Sequence, residues 1–221
     1  ELKEEASEEE LKFSDLGKIF TSLMIWLVAL LCVLYYSAIF PFQRYAPDFL
    51  NKTLNIDNGA QLFSCFPILA MILTPFLGGF IDNKGKAASM LMLGSIIMIA
   101  CHLSFAFLLP AFPSKILAII IIAILGVSFS LVPAALWPSV PKIIDERILG
   151  SAYCVIFWIQ NWGLLLVPIV IGNVLDATGG YTMPMIIFSS FGVLALFFGI
   201  MLKREDKKKG YGLELPNITE E

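Results

Sequence analysis

Six stretches of this 221-residue chain, 20–42, 59–81, 87–109, 116–137, 149–173 and 182–202, contain no Asp, Glu, Lys or Arg. At about 1.5 Å of rise per residue, each is long enough to cross a hydrocarbon core of about 30 Å as a helix. A backbone in lipid must satisfy its own hydrogen bonds, so the pattern predicts an all-α membrane protein with six transmembrane helices. Composition agrees. The chain is 58% hydrophobic and 15% charged, against about 45–50% and 25% for soluble domains. The connections are mostly too short to house a separate catalytic domain. A soluble enzyme is therefore excluded, the lipid bilayer is the first partner, and no nucleic-acid partner is expected. Three segments follow: an acidic linker with a short amphipathic segment at 1–19, the six-helix bundle at 20–203 and a tail at 204–221.

Positive charge orients the bundle, because Lys and Arg are retained on the cytoplasmic side. Lys3, Lys12, Lys18, Lys84, Lys86, Lys142, Arg147, Lys203, Arg204, Lys207, Lys208 and Lys209 fall on one side of a six-span chain, and Arg44, Lys52 and Lys115 on the other. Both ends are thus expected in the cytoplasm, with Arg44 to Asn58 forming an outer or lumenal loop. The membrane is expected to be an endomembrane in a eukaryote or the inner membrane in a bacterium. Asn51-Lys52-Thr53 in that loop is a glycosylation pattern expected to be used, whereas Asn217-Ile218-Thr219 lies on the wrong side. The acidic run Glu1 to Glu10 reads as a solvated linker, and a first residue other than Met suggests a piece of a longer chain. The segment 11–20, with Leu11, Phe13, Leu16 and Phe20 among polar residues and Ser14 and Asp15 as helix caps, is either an interfacial helix or more linker. Cys32, Cys65, Cys101 and Cys154 each sit in a different span and read as apolar packing residues.

An internal repeat adds more. Gly78-Gly79-Phe80-Ile81-Asp82-Asn83-Lys84-Gly85-Lys86 and Gly172-Asn173-Val174-Leu175-Asp176-Ala177-Thr178-Gly179-Gly180 both read GxxxDxxG, 94 residues apart. Each copy ends the second helix of a three-helix unit, yet the charge count puts the two on opposite sides of the membrane. Two inverted three-helix repeats follow. In each copy the first glycine (Gly78, Gly172) allows close helix approach. The aspartate (Asp82, Asp176) can accept N–H bonds at a neighbouring helix start, and the last glycine (Gly85, Gly179) permits a turn with positive φ. Lys86 adds positive charge to the first copy.

The sequence GGFIDNKGK between the second and third spans resembles the signature loop of the major facilitator superfamily, G-x-x-x-D-R-x-G-R-R, with Asn83 in place of the first arginine and Lys86-Ala87 in place of the basic pair. YYSAIFPFQRYAPDFL (Tyr35 to Leu50), LVPAALWPSVPKII (Leu131 to Ile144) and GSAYCVIFWIQNWGL (Gly150 to Leu164) are similar to a lysosomal, dipeptide-exporting branch of that superfamily. The resemblance implies one half of a major facilitator fold, helices seven to twelve of a twelve-helix carrier. The amino-terminal half of the same transporter is then a partner. It also implies that the first and fourth helices line a central cavity, the second and fifth flank it, and the third and sixth lie outside.

On that frame the polar residues inside the spans become candidate substrate contacts. Tyr36, Phe40 and Gln43 form one stripe of the first span, with Tyr35 beside it. Ser130, Pro133 and Trp137 form another on the fourth, and Pro133, Pro138 and Pro141 free carbonyls near Trp137. In the fifth span Tyr153 shares a face with Gln160. Gln160 and Asn161 either bind a polar solute or bond between helices. Trp158 and Trp162 read as packing or interfacial anchors. Arg44 either holds a substrate carboxylate or snorkels to the interface. His102, inside the supporting third span and far from any acid, reads as a hydrogen-bonded structural histidine rather than a proton relay. The expected substrate contacts are therefore Tyr35, Tyr36, Gln43, Arg44, Trp137, Tyr153, Gln160 and Asn161. No cofactor, metal or nucleophile pattern is present, so no chemistry is expected.

The expected function is secondary transport of a small organic solute by alternating access. Resemblance points to short peptides. No span carries a carboxylate, so transport is either uncoupled or coupled through a residue outside these spans. The rival reading is a six-span membrane scaffold or accessory subunit that transports nothing. An intramembrane enzyme lacks a candidate catalytic pair.

Overall fold

The computed structural model describes residues 13–217, with side chains from Gly17 onward. The acidic run at 1–10 and the Ile218-Thr219 part of the second glycosylation pattern lie outside the described residues. A short helix, Phe13–Thr21, precedes the bundle. Ser22 then caps the first long helix by accepting from the N–H of Ile25 at 3.4 Å, which satisfies one of the four orphan donors of a helix start. Among the described residues, six helices are long and apolar enough to span a membrane. They are α1 (Leu23–Leu54), α2 (Gly59–Lys84), α3 (Ala87–Ala111), α4 (Lys115–Ile143), α5 (Leu149–Thr178) and α6 (Thr182–Lys209). The last two turns of α3 open into a π-helical turn at Ser104–Leu108.

The packing carries the internal repeat into three dimensions. Helix α1 packs on α5 as α4 packs on α2, α6 packs on α1 as α3 packs on α4, and α3 meets α6. Exchanging α1–α3 for α4–α6 leaves this scheme unchanged, as two inverted three-helix units require. Burial divides the helices into classes. Of the apolar stretch of α1, 61% is buried, against 17% in α2 and 22% in α5. The latter two therefore flank an open face on which α1 and α4 lie at the centre.

Small residues set the close contacts. A Cβ at Gly192 would stand 2.7 Å from Ile99, so α6 approaches α3 only because that side chain is missing. His102 lies fully buried here. Its Nδ1 is 2.9 Å from the Met98 carbonyl, and its ring centroid is 5.2 Å from that of Phe42 and 5.5 Å from that of Phe188. The ring is thus bonded within α3 and packed against aromatic rings of α1 and α6.

Four expectations need correction. The long outer loop does not exist: α1 runs helically to Leu54. Pro41 and Pro47 are tolerated inside it, and Lys52 pairs with Asp48 at 2.8 Å one turn apart. The charged residues end the hydrocarbon-compatible stretch but not the helix, since about 48 Å of helix exceeds the membrane. Asn51 consequently sits in the last helical turn, and its Oδ1 accepts from Gly59 N–H at 2.7 Å. Next, Gly78 makes no close helix approach, for a Cβ there would meet nothing within 4 Å. Third, Asp82 caps no neighbouring helix among the described residues. Its carboxylate accepts from Asn217 Nδ2 at 2.6 Å. Fourth, the tail begins after Lys209, and residues 210–217 fold back under the bundle. The loop at Asp82 is itself only two residues long, with Gly85 at φ +73° and Lys86 at φ +66° before α3 begins.

Candidate functional site

The open face between α2 and α5 carries a run of aromatic rings from three helices. On α1, Tyr36 stacks on Phe40 with centroids 5.4 Å apart. Phe129 of α4 stands edge-on to both, at 6.1 and 6.0 Å. Trp137, two turns further along α4, meets Tyr36 edge-on at 6.3 Å and donates its indole N–H to the Tyr36 hydroxyl at 3.3 Å. From α5, Phe157 stacks on Trp137 at 4.7 Å and Tyr153 lies 5.9 Å away. The rings are packed but not sealed: Phe40 is 43% and Phe157 45% exposed.

Local chemistry explains why Tyr153 is there. Pro141 has no N–H, so the carbonyl of Trp137 loses its helical donor. The Tyr153 hydroxyl replaces it, donating to that carbonyl at 3.1 Å. One proline thereby ties α5 to α4 beside the tryptophan. Towards the other end of the face, Arg44 lines a shallow groove of about 190 Å³ with Phe40, Pro41, Leu164 and Pro168. Asn161, exposed and one turn beyond Phe157, donates to the Phe157 carbonyl at 2.7 Å. Its amide oxygen takes no bond among the described residues. Gln43, half-buried, sits one turn and three residues past Phe40's own turn-mate Tyr36, on the same stripe.

Two predicted contacts are placed elsewhere. Tyr35 is fully buried, its hydroxyl donating to the Leu91 carbonyl and paired with Ser95 Oγ at 2.6 Å. The 100° step between neighbouring helical residues turns it onto α3 and away from Tyr36. Gln160 is 6% exposed and accepts from Cys32 Sγ at 3.1 Å, a bond between α5 and α1 that takes its amide out of the open face. Ser130 likewise faces α2, 3.3 Å from the Ala70 carbonyl. The stripe on α4 is Phe129, Pro133 and Trp137. Phe129 lies at i−8 from Trp137 on this stripe, whereas the polar Ser130 beside it is turned onto α2. Trp158 and Trp162 lie edge-to-face at 6.2 Å on the outer side of α5 and are 59% and 50% exposed, placed as outward-facing aromatics.

The profile of the Major Facilitator Superfamily matches residues 1–168. The chain belongs to this superfamily. Its six helices form half of a major facilitator fold. Among curated proteins it is 32% identical over 200 residues to the lysosomal dipeptide transporter MFSD1 of Danio rerio, covering 90% of this chain and 42% of that protein. It is 30% identical over 196 residues to the lysosomal dipeptide transporter MFSD1 of Homo sapiens, covering 87% of this chain and 40% of that protein. A probable sulfoacetate transporter of Cupriavidus necator is 24% identical over 187 residues. The chain spans about two fifths of the length of these relatives. As a superfamily member with six apolar helices, it is a multi-pass membrane protein of a transporter family.

Proposed function

We propose that this chain is the carboxyl-terminal half of a carrier that moves short peptides or similar zwitterions by alternating access. The substrate then binds between the open face of α1, α4 and α5 and an amino-terminal half. The observation that carries the reading is the convergence of Tyr36, Phe40, Phe129, Trp137 and Phe157 on one partly exposed face, with Arg44 at its edge. A membrane scaffold has no need of an arginine and an amide oxygen that, among the described residues, take no partner on an open aromatic face.

The arrangement suits a molecule charged at both ends. Aromatic faces attract an ammonium group, worth up to about 2 kcal/mol when desolvated. The Arg44 guanidinium binds a carboxylate through two parallel hydrogen bonds. Tyr36 and Arg44 are eight residues, about 12 Å, apart along α1. An extended dipeptide reaches about 7 Å, and the long arginine side chain covers the remainder. Gln43 and Asn161 then pair the peptide group, and Tyr153 positions Trp137. Tyr35 and Gln160 hold helices together. With no carboxylate in the charge-free stretches, transport through this half is uncoupled or coupled elsewhere. The basic end of the bundle faces the cytoplasm, and the membrane is lysosomal, as in the relatives' names.

The test is uptake into proteoliposomes by the whole carrier. Free dipeptides should compete with labelled dipeptide, and the same peptides with an amidated carboxyl end should compete poorly. Arg44→Gln should erase that difference. Equal competition by free and amidated peptides in the unaltered carrier would remove the carboxylate role of Arg44. No peptide-dependent uptake at all would remove the substrate class.

A further inference from the structure

Nothing in the transport reading uses the segment after α6, yet it is among the most heavily bonded parts of the molecule. Residues Gly210–Asn217 leave α6 at Gly210, with φ +72°, and run beneath the basic end of the bundle. Leu213 is fully buried, and its N–H donates to Asp206 Oδ1 of α6 at 3.1 Å. Lys142 at the end of α4 donates to the carbonyls of Gly212 and Leu215 at 3.0 and 2.8 Å.

The segment also supplies what the start of α3 lacks. A helix leaves its first N–H groups without partners. Here Lys86 N–H donates to the Glu214 carbonyl at 3.1 Å and Ala87 N–H to the Leu213 carbonyl at 3.0 Å. Ser89 N–H and Oγ donate to the two oxygens of the Glu214 carboxylate at 2.9 and 2.6 Å, and Lys203 of α6 closes on the same carboxylate at 3.2 Å. A carboxylate at a helix start is favoured by both the orphan donors and the helix dipole. Finally Asn217 takes hold of Asp82 twice, through its N–H to the Asp82 carbonyl at 2.8 Å and its Nδ2 to the carboxylate.

The seat for this segment is built into the loop. A Cβ on Gly85 would lie 2.5 Å from the Glu214 carbonyl oxygen and 2.7 Å from Pro216 N. Only glycine lets the backbone pass.

We propose that residues 210–217 are a strap that binds the ends of α2, α3, α4 and α6 into one block, with Glu214 and Asn217 as positioning residues for the Asp82–Lys86 loop. While the strap is docked, Asp82 is occupied. A partner that needs Asp82 Oδ1 must displace Asn217, so the strap and such a partner compete. The contacts themselves do not depend on the transport reading; the effect on turnover does.

The test is carboxylate labelling of the whole carrier with a carbodiimide and an amine, read by mass spectrometry beside amide hydrogen exchange. Asp176, exposed in the equivalent loop, is the internal standard. Asp82 should label more slowly than Asp176 in the unaltered protein and about tenfold faster in Asn217→Ala, with Asp176 unchanged. Exchange at Lys86, Ala87 and Ser89 should accelerate about tenfold in Glu214→Ala while core amides of α1 stay protected, which also shows that the variant is folded. Transport by Asn217→Ala should change in turnover and not in half-saturation, since the strap touches no residue of the aromatic face. If Asp82 labels as fast as Asp176 without any substitution, or if neither variant alters labelling or exchange, the strap does not hold the loop. If labelling and exchange respond while no solute is moved, the strap stands and the transport reading fails.

Discussion

The two copies of the GxxxDxxG loop begin from one pattern and are held in different ways. At the end of α5, Gly179 has φ +66° with open space around it, and no bond engages Asp176 among the described residues. The neighbouring start of α6 is tied directly to the end of α1: the Tyr181 hydroxyl donates to Asp48, and Lys52 lies 5.6 Å from the Tyr181 ring centroid. At the end of α2, the equivalent link between α3 and α4 runs through a third party, the strap, gripped by Lys142 on one side and capping α3 on the other. The internal repeat therefore fixes where a tie is needed, and the sequence outside the repeat decides what makes it. One end of the bundle is fastened by side chains of adjacent helices, the other by a separate segment.

The largest difference between the loops is expected at their glycines. Gly85→Ala combines a conformation reserved for glycine, φ +73° and ψ −142°, with a backbone clash, and should cost about 3 kcal/mol or more. Gly179→Ala enters an ordinary left-handed conformation in open space and should cost about 1 kcal/mol. Thermal unfolding of the two variants in detergent measures both, and equal losses would mean that the loops are held alike.

A smaller difference is expected at the lysines. Lys142 donates to two carbonyls of the strap, and Lys142→Ala should destabilise by about 1–2 kcal/mol. Lys52 sits in an exposed pair, and Lys52→Ala should cost about 0.5 kcal/mol or less. The same unfolding measurement separates them.

The smallest effect is acid release of the strap. Burial pushes the Glu214 carboxyl up, but the bonds from Ser89 and Lys203 outweigh it and hold the group below its ordinary value near 4.5. A group depressed in the docked state adds stability that is complete above the undocked value and is lost as the pH falls through the docked one. Exchange at Ser89 should thus be flat above pH 4.5 and accelerate below it, after correction for intrinsic rates. Lys142, Lys203, Asp82 and Asp206 surround the strap, and Glu214→Gln should weaken the dependence. The loop at Asp176 should show no such step.

How much of this was legible in the chain varies with the kind of interaction. Absence of charge marked the six spans, because burying charge in lipid is costly wherever it occurs, and the GxxxDxxG loop, repeated on opposite sides of the membrane, marked the two-unit plan. Helix ends were read short: Asp48 and Lys52 looked like loop residues, but helices continue past the hydrocarbon into water at little cost. Stripes at helical spacing found Tyr36, Trp137 and Tyr153. They could not separate Tyr35 from Tyr36 or assign Gln160, since both sides of an inner helix are occupied and polarity alone does not say which neighbour receives the bond. The strap was invisible, for its contacts to α2, α3 and α4 join residues 70 or more positions apart and GYGLELPN carries no periodicity.

The central claim is that solute meets this chain on the aromatic face of α1, α4 and α5. Two tryptophans measure it most directly: Trp137 on that face and Trp158 on the outer side of α5. In proteoliposomes containing the whole carrier, Trp137→Ala should raise the half-saturating dipeptide concentration about tenfold, through loss of cation–π and stacking contacts. Trp158→Ala should leave it unchanged. An unchanged value for Trp137→Ala, or an equal rise for both, would contradict the account.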